Sequence, residues 1–443
     1  MSDSLRSLAP AGAGLNDERF AALLSRNHEP DWSLEQRRSA WQAWQRLELP
    51  NWKYTDPNRI DLSGVDPFVA GGDVAGALGQ APAEIRAIHD GSRAAAGLIV
   101  QSNAGIVHVQ LDPELKRRGV ILTDTGTAVR EHPELLREYF WRHGPRPDDD
   151  RFLALHAAWW QGGFFLYVPP GVEIEAPIYY FQTVTAPQAA AFPHNLIVAD
   201  RASVVTVFEE QASTAQGQQP YVGAYTEMYL NDGAQLQYYL VERWGTDVAE
   251  VSRRYAFVGR DARFTATTAY FGAGLLNTRV QADLIGQGGF SEILCLVLTH
   301  GRQHLDIITA NRHAAAHTTG EMVTKQVLRD ESRTAYQGLI VIEQSAPHSQ
   351  DFLQENALIL DDGARADAIP SLEIMNDEVA ATHGATIGKV DATQLFYLMS
   401  RGLTRRQAEL MIVSGFFEPL LRRVPGEDTR QRLTDLVVEK VTA

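Results

Sequence analysis

Hydrophobic and polar positions alternate over short stretches between about residues 151 and 390, and this period of two predicts strands. Polar turns separate the strands, for example at Asn231-Asp232-Gly233 and at Asp361-Asp362-Gly363. The unit of strand, turn and strand recurs about every 27–43 residues. Strands this short cannot bury a core alone, so a recurring unit of this kind indicates a stacked solenoid. We therefore predict a mainly β protein with a parallel β-helix over residues 151–390, with a β-sandwich or barrel as the alternative.

Helical patterns flank this stretch on both sides. Residues 1–150 are mixed and mainly helical, with a capping-box pattern that begins at Ser33 and a second helix that opens at Pro133. Residues 391–443 return to helix, with a cap at Asp391, a stop at Gly402 and a capping box at Thr404. The chain is thus divided into three regions, 1–150, 151–390 and 391–443.

The last helices are more apolar than a helix on a protein surface needs to be. Residues 411–421 carry apolar side chains on more than one face. These side chains pack either on the β-helix of the same chain or in the groove of a partner. The sequence leaves both readings open.

Composition narrows the class of function. The chain has 443 residues, 44% hydrophobic residues and a net charge of −15, so we expect a large core and neither nucleic-acid nor anionic-membrane binding. Its one cysteine, Cys295, cannot form an internal disulfide and cannot hold an iron–sulfur cluster alone. It lies in an apolar strand, where we expect a buried, inert thiol. We find no membrane span and no signal-peptide pattern, and we expect a cytoplasmic protein.

Several segments together are similar to one known family. Residues 152–172, 337–341 and 370–416 resemble the SufB/SufD family of iron–sulfur cluster assembly proteins, and residues 51–56 are similar to an element of its SufD members. The resemblance implies a right-handed parallel β-helix with flanking helices. It also implies a scaffold that is not itself an enzyme and that works with an ABC-type ATPase, SufC, and with a SufB paralogue. A transient cluster would form near the SufB–SufD seam.

A few positions favour the SufD type of this family. SufB members have a Cys-Gly-Ala-His element where this chain has residues 364–367, Ala-Arg-Ala-Asp. His383 lies between Thr382 and Gly384, which resembles the Cys-Ser-His-Gly of many SufD members, with Ala381 in the cysteine's place. A SufB-like or homodimeric scaffold remains an alternative.

The resemblance also suggests which residues contact iron and partners. His383 is the candidate ligand of iron or a cluster, because a neutral imidazole can complete a mostly thiolate site. A histidine that is hydrogen-bonded within the solenoid is the alternative. For the SufC contact we select five residues on the terminal helices: Arg401, Leu403, Met411, Phe416 and Phe417.

Other groups of polar residues carry less weight. The set His300, His304, His313 and His317 lies in predicted strands and turns, so we favour a structural role over a zinc site. Residues 384–389 lack the spacing and the Ser/Thr of a phosphate loop, so we predict no ATP site in this chain. Glu343, Asp351 and Glu355 would suit a β-helical carbohydrate-active enzyme, which is the least favoured function.

Overall fold

A β-solenoid of about eight turns forms the centre of the computed structural model, which describes residues 14–214 and 217–442. Residues 1–13, where we expect no signal peptide, lie outside this described part. The mainly β fold with helical segments near both termini is confirmed. Each coil contributes one strand to each of two ten-stranded sheets.

The two sheets are built from alternate strands of the chain. The first sheet contains, in spatial order, β2 (Gly105–Leu111), β1 (Gly97–Ser102), β5 (Ile178–Thr183), β8 (Val204–Ala212), β10 (Gln235–Arg243), β12 (Arg263–Tyr270), β14 (Phe290–Thr299), β16 (Thr319–Leu328), β18 (Gln350–Ile359) and β20 (Ala380–Lys389). The second contains β19 (Arg365–Ile374), β17 (Arg333–Ile342), β15 (His304–His313), β13 (Leu275–Leu284), β11 (Ala249–Val258), β9 (Tyr221–Leu230), β7 (His194–Ala199), β4 (Phe164–Val168) and β3 (Ile121–Asp124), with β6 (Ala190–Ala191) beside β9.

Neighbouring coils stack in parallel and in register. Gln235 is paired with Arg263, which is paired in turn with Phe290, so one coil takes 27 or 28 residues here. Because successive side chains of a strand point to opposite faces, every second residue enters the interior and stacks on its counterpart in the next coil. The interior is one continuous cluster of buried side chains that runs from the first coils to Leu353.

The solenoid begins inside the region that we predicted to be mainly helical. The apolar residues 98–100 are fully buried in β1, which pairs in parallel with β5. Two further strands close this end in the opposite direction, since β2 is antiparallel to β1 and β3 is antiparallel to β4. Antiparallel strands stop the stacking of further coils, so this end of the solenoid is capped.

Eleven α-helices occur within the described residues. They are α1 (Asp17–Asn27), α2 (Asp31–Arg46), α3 (Val74–Leu78), α4 (Ala83–His89), α5 (Pro113–Arg117), α6 (Thr125–Glu131), α7 (Pro133–Tyr139), α8 (Arg151–Trp159), α9 (Ala392–Ser400), α10 (Arg405–Leu421) and α11 (Glu427–Thr442), with a short 3-10 helix at Pro57–Arg59. None of the described helices has the length and apolar character that crossing a bilayer requires.

Local capping signals differ in how well they predicted the helix starts. Asp391 caps α9, Thr404 forms a complete capping box on α10, and Pro133 is the first residue of α7. The predicted box at Ser33 was wrong, because α2 begins earlier, after Pro30. The Ser33 hydroxyl instead donates to the buried carboxylate of Glu29, 2.6 Å away.

Candidate functional site

The last coil of the solenoid is open, unlike the capped first coil. Within the described residues, β20 pairs with β18 and β19 pairs with β17, and the outer edge of each strand is unpaired. Nearly every residue of β20 is exposed, whereas every residue of β11 in the middle of the solenoid is buried. The chain therefore ends its stack with free backbone groups and uncovered side chains.

His383 lies at the end of an interior column. The strand pairing aligns His383 with Leu353 of the preceding coil. Leu353 continues a column that Ala266, Ile293 and Met322 form in the coils before it, and all four of these residues are buried. A residue in register with this column faces the solenoid interior. No coil covers His383, so its imidazole is exposed at the open end. The exposure of His383 argues against the alternative of a histidine hydrogen-bonded within the solenoid.

The surface around His383 is made of small and apolar residues. Ala381 and Ala385 flank it on the same face of β20. Large exposed apolar side chains surround the open end: Phe352, Ile374, Met375 and Ile387. Exposed apolar groups that are contiguous with unpaired strand edges are typical of a surface on which another protein docks.

A row of polar side chains lies inside the solenoid under the open end. Ala385 is paired with Glu355, which is stacked on Thr324 and then on Cys295. Burial raises the pKa of Glu355 to about 8, so this carboxyl is protonated at neutral pH, and it accepts a hydrogen bond of 2.6 Å from Gln326. Burial also raises the pKa of Cys295 to about 12. The prediction of a buried Cys295 is confirmed, and this thiol lies three coils away from the open end.

Comparison with known proteins identifies the family. The model for the SUF system FeS cluster assembly, SufBD core domain, matches residues 181–416, and that for the SufBD protein N-terminal region matches residues 97–179. The chain belongs to the SufBD family. It is similar to the iron–sulfur cluster assembly protein SufD of Bacillus subtilis, at 30% identity over 96% of this chain and 98% of the relative. It is also similar to an iron–sulfur cluster assembly SufBD family protein of Staphylococcus epidermidis, at 27% identity over 94% of this chain and 90% of the relative.

The C-terminal helices of this SufBD protein have one face on the solenoid and one in solvent. On α10, Val413, Phe417 and Leu420 share the face that packs on the first sheet. Arg423 fixes the end of this helix through ion pairs of 2.6 Å to Glu292 and to Glu321. The solenoid of the same chain therefore covers much of the apolar surface of residues 411–421, for which the sequence allowed either the solenoid or a partner.

The five residues selected for a SufC contact do not all lie on the exposed face. Arg401 and Met411 are exposed, Leu403 is half-buried, and Phe416 is half-buried beside Lys325, whose ammonium lies 4.6 Å from the ring centroid. The selection of Phe417 as a residue with an exposed side chain was wrong. Its side chain is fully buried in the core under α10, because it lies one turn after Val413 on the inner face.

The sequence reasoning missed Phe396, the most exposed large apolar residue of this region, and its neighbour Tyr397. Phe396, at 72% exposure, and Tyr397 project from α9, close in sequence to the exposed Met399. Residues 395–399 of α9 are Leu-Phe-Tyr-Leu-Met, and only Leu395 of that helix is buried. A run with more apolar residues than one buried face can hold was the available signal.

In the part of the chain that the structure describes, the four clustered histidines do not converge on one point. His313 is buried, with Nε2 2.8 Å from the Asp351 carboxylate and Nδ1 2.8 Å from the Thr318 hydroxyl. The ring of His304 lies 3.0 Å from the hydroxyl of Thr55, and burial lowers its pKa to about 4. Among the described residues, no three histidine, cysteine or carboxylate side chains converge as metal ligands would.

The remaining motifs are structural in this SufBD protein. Residues 384–389 belong to strand β20, so they do not form a phosphate-binding loop in front of a helix. Asp351 is engaged with His313, and Glu343 is paired with Arg312. The carboxylates that a carbohydrate-active enzyme would need are thus each held by a different partner.

Proposed function

We propose that this SufBD family protein is a SufD-type scaffold subunit for de novo iron–sulfur cluster assembly and iron acquisition, without catalysis of its own. The exposed imidazole of His383 at the open end of the solenoid is the observation that carries the proposal. A neutral imidazole binds iron, but one imidazole is an incomplete site. The other ligands would come from a second subunit, and the cluster is a transient cargo shared between the two chains.

The open end fits a SufB-type paralogue. Unpaired strands offer backbone donors and acceptors to which another solenoid can add its own strands. Docking there would bury Ile387 and Met375 and would place the partner's ligands beside His383. The similarity to SufD of Bacillus subtilis over nearly the whole chain supports this role.

The outer face of α9 and α10 fits a SufC-type ABC ATPase. Phe396 and Tyr397 on α9 and Met411 on α10 are exposed apolar side chains that a partner groove can take up, and Arg401 donates a hydrogen bond of 3.1 Å to the Tyr397 hydroxyl. In this proposal the chain has no ATP site of its own, and the ATPase would supply the energy. The composition, with one buried cysteine, supports a cytoplasmic complex.

Isolation of the native complex followed by reconstitution tests the proposal. The tagged chain is produced with the SufB-type and SufC-type proteins of its own organism, as wild type, as His383→Ala and as His28→Ala, which changes an exposed histidine far from β20. Each complex is loaded anaerobically with iron and sulfide, and its iron content and visible absorption are measured. We expect all three complexes to assemble. We expect His383→Ala to retain less than half of the cluster that the other two hold.

Two outcomes would contradict the proposal. Full cluster content in the His383→Ala complex would remove the ligand role of His383. A chain that captures neither protein, but forms a stable dimer with itself and holds a cluster alone, would favour the homodimeric scaffold, whose edge-to-edge contact could use the same β20.

A further inference from the structure

One corner of the solenoid carries a ladder of residues with left-handed backbone. The corner leads from the second sheet to the first, and its positive-φ residues are Gly171, Ala202, Gly233, Asp261, Gly288, His317 and His348. Each donates its backbone N–H to a carbonyl of the next coil, as His317 does to Pro347 at 3.0 Å and His348 does to Glu378. The last two positions of this ladder are thus histidines in consecutive coils.

The two imidazoles lie against each other on the surface. Their ring centroids are 4.9 Å apart with an interplanar angle of 30°, and both residues are exposed. Glu378 follows in the next coil, with a carboxylate oxygen 3.7 Å from Nε2 of His348. In the described residues these three side chains do not converge as metal ligands would. We propose that rotation about their side-chain bonds lets His317 and His348 bind a divalent first-row transition-metal ion, with Glu378 as a third ligand.

The spacing of the coils matches what such an ion requires. Metal–nitrogen bonds of about 2.0–2.1 Å at a tetrahedral angle place two ligand nitrogens about 3.4 Å apart. Rings stacked at 4.9 Å need only modest rotations about their side-chain bonds to reach that separation. Glu378 is also exposed and can turn toward the same point. Imidazole is a preferred ligand of zinc, copper and nickel, and water would complete the shell.

The left-handed backbone of this corner is shared by residues of several kinds. A residue other than glycine in the left-handed region costs on the order of 1 kcal/mol. Glycine fills equivalent corners at Gly233 and Gly288 without that cost. Ala202 and Asp261 also take this conformation at the equivalent corner of other coils, so the backbone fixes where the two imidazoles lie but does not itself indicate a ligand.

This site is separate from His383 and does not depend on the proposed function. The corner ends at Val379, and His383 lies four residues further along the extended chain, or about 13 Å. Metal binding at the corner and cluster binding at the open end can thus be measured independently.

Asparagine substitutions test the site without disturbing the corner, because asparagine accepts left-handed backbone. The full-length chain carrying His383→Ala is compared with the same chain carrying His317→Asn, His348→Asn or Glu378→Gln in addition. His28→Asn is the matched control, since His28 is also exposed and left-handed. Zn²⁺ is titrated calorimetrically, and Co²⁺ is titrated by its visible absorption.

We expect one ion at this site, an affinity at least tenfold lower in either asparagine variant, a severalfold loss in Glu378→Gln, and no change in His28→Asn. The loss follows because one imidazole alone cannot chelate. The proposal is overturned if the parent chain binds neither Zn²⁺ nor Co²⁺, if either asparagine variant keeps the full affinity, or if His28→Asn loses as much. Urea unfolding of each variant checks that the fold is unchanged.

Discussion

At the scale of single residues, a buried chain of hydrogen bonds joins a helix to the solenoid. Nδ1 of His156 donates to the carbonyl of Gly223 at 2.7 Å, since a carbonyl can only accept. Nε2 of His156 lies 3.1 Å from Nδ1 of His194, and Nε2 of His194 lies 3.0 Å from a Glu227 oxygen. Three hydrogen bonds need three protons. Two neutral imidazoles carry two of them, so the network holds one more and is neutral overall.

The extra proton belongs to Glu227. Burial raises the pKa of this carboxyl to about 8, and burial lowers the pKa of both histidines well below the usual range. The protonated carboxyl donates a hydrogen bond to His194. It accepts one from the Tyr229 hydroxyl at 2.8 Å and one from the backbone N–H of Trp141 at 2.9 Å. One side chain thereby ties the loop after α7 to strand β9.

The proton of Glu227 makes stability depend on pH. Between about pH 7 and 8 the histidines are mostly neutral in both states, whereas Glu227 is protonated when folded and ionised when unfolded. The folded state binds more protons, so this group lowers the free energy of unfolding by about 1.4 kcal/mol per pH unit as pH rises through that window. In Glu227→Gln, the amide reproduces the neutral hydrogen bonds, and we expect this contribution to disappear. Urea unfolding at several pH values measures it.

Glu227→Ala is the companion variant, since it removes the same proton together with the hydrogen bonds. We expect it to be less stable than Glu227→Gln at every pH, by at least about 2 kcal/mol, because buried partners lose their bonds. An unchanged pH slope in Glu227→Gln relative to wild type would mean that the folded network holds no extra proton, with Glu227 ionised beside two neutral histidines.

At the scale of elements, short-range chemistry predicted some helix starts and missed others. Thr404 and Gln407 cap each other as their spacing predicts, because both sides of the box lie within one turn. At Ser33 the same pattern is overridden by tertiary contacts, since Arg37 and Ser33 both bind the buried Glu29. The faces of α10 were equally out of reach, because the first sheet decides that Phe417 is buried and Met411 is exposed.

The exposed face of α9 and α10 carries the partner contact of the proposed function. We expect the double substitution Phe396→Asp/Met411→Asp to weaken binding of the SufC-type ATPase by at least about 30-fold, since central apolar anchors contribute about 2 kcal/mol or more. Both side chains are more than half exposed, so the folded chain should keep its stability. Binding is measured by titration of the purified subunits.

Val109→Asp is the control for this surface. Val109 is 41% exposed on β2 at the capped end of the solenoid, so a charge there should leave ATPase binding unchanged. Equal weakening by Val109→Asp would indicate a nonspecific effect of charge, and unchanged binding by the double variant would move the contact away from α9.

At the scale of the whole molecule, the sequence predicted the solenoid but not its register. The turns at Asn231 and Asp261 lie at one corner, whereas those at Asp330 and Asp361 lie at the opposite corner, which made the repeat look irregular. The corner at His317 lacks the usual turn residues, and the corner at His348 has Ser345 and Pro347 in place of the Asp, Asn and Gly of the earlier turns. No shared local signal therefore marked the two corners as copies of the same position. The open end was equally hidden, because β20 alternates like a strand that has neighbours on both sides.

Asymmetry of the two ends has a measurable consequence in the isolated chain. In a solenoid each coil is stabilised by its neighbours, and the last coil has one neighbour instead of two. Half of the N–H groups of β20 point to its unpaired edge, and its side chains are exposed, whereas β11 is bonded on both sides and buried throughout. We expect hydrogen exchange in β20 to be at least about 100-fold faster than in β11, because local opening there costs little free energy.

The same measurement with the SufB-type protein added connects this end to the proposed partner. Strand addition would pair the free N–H groups of β20, so its exchange should slow while that of β2, at the capped end, stays constant. Protection of β2 instead would place the partner at the capped end. Equal exchange of β20 and β11 in the isolated chain would mean that the last coil is already covered, for instance by a second copy, and the concentration dependence of the exchange rate would reveal that copy.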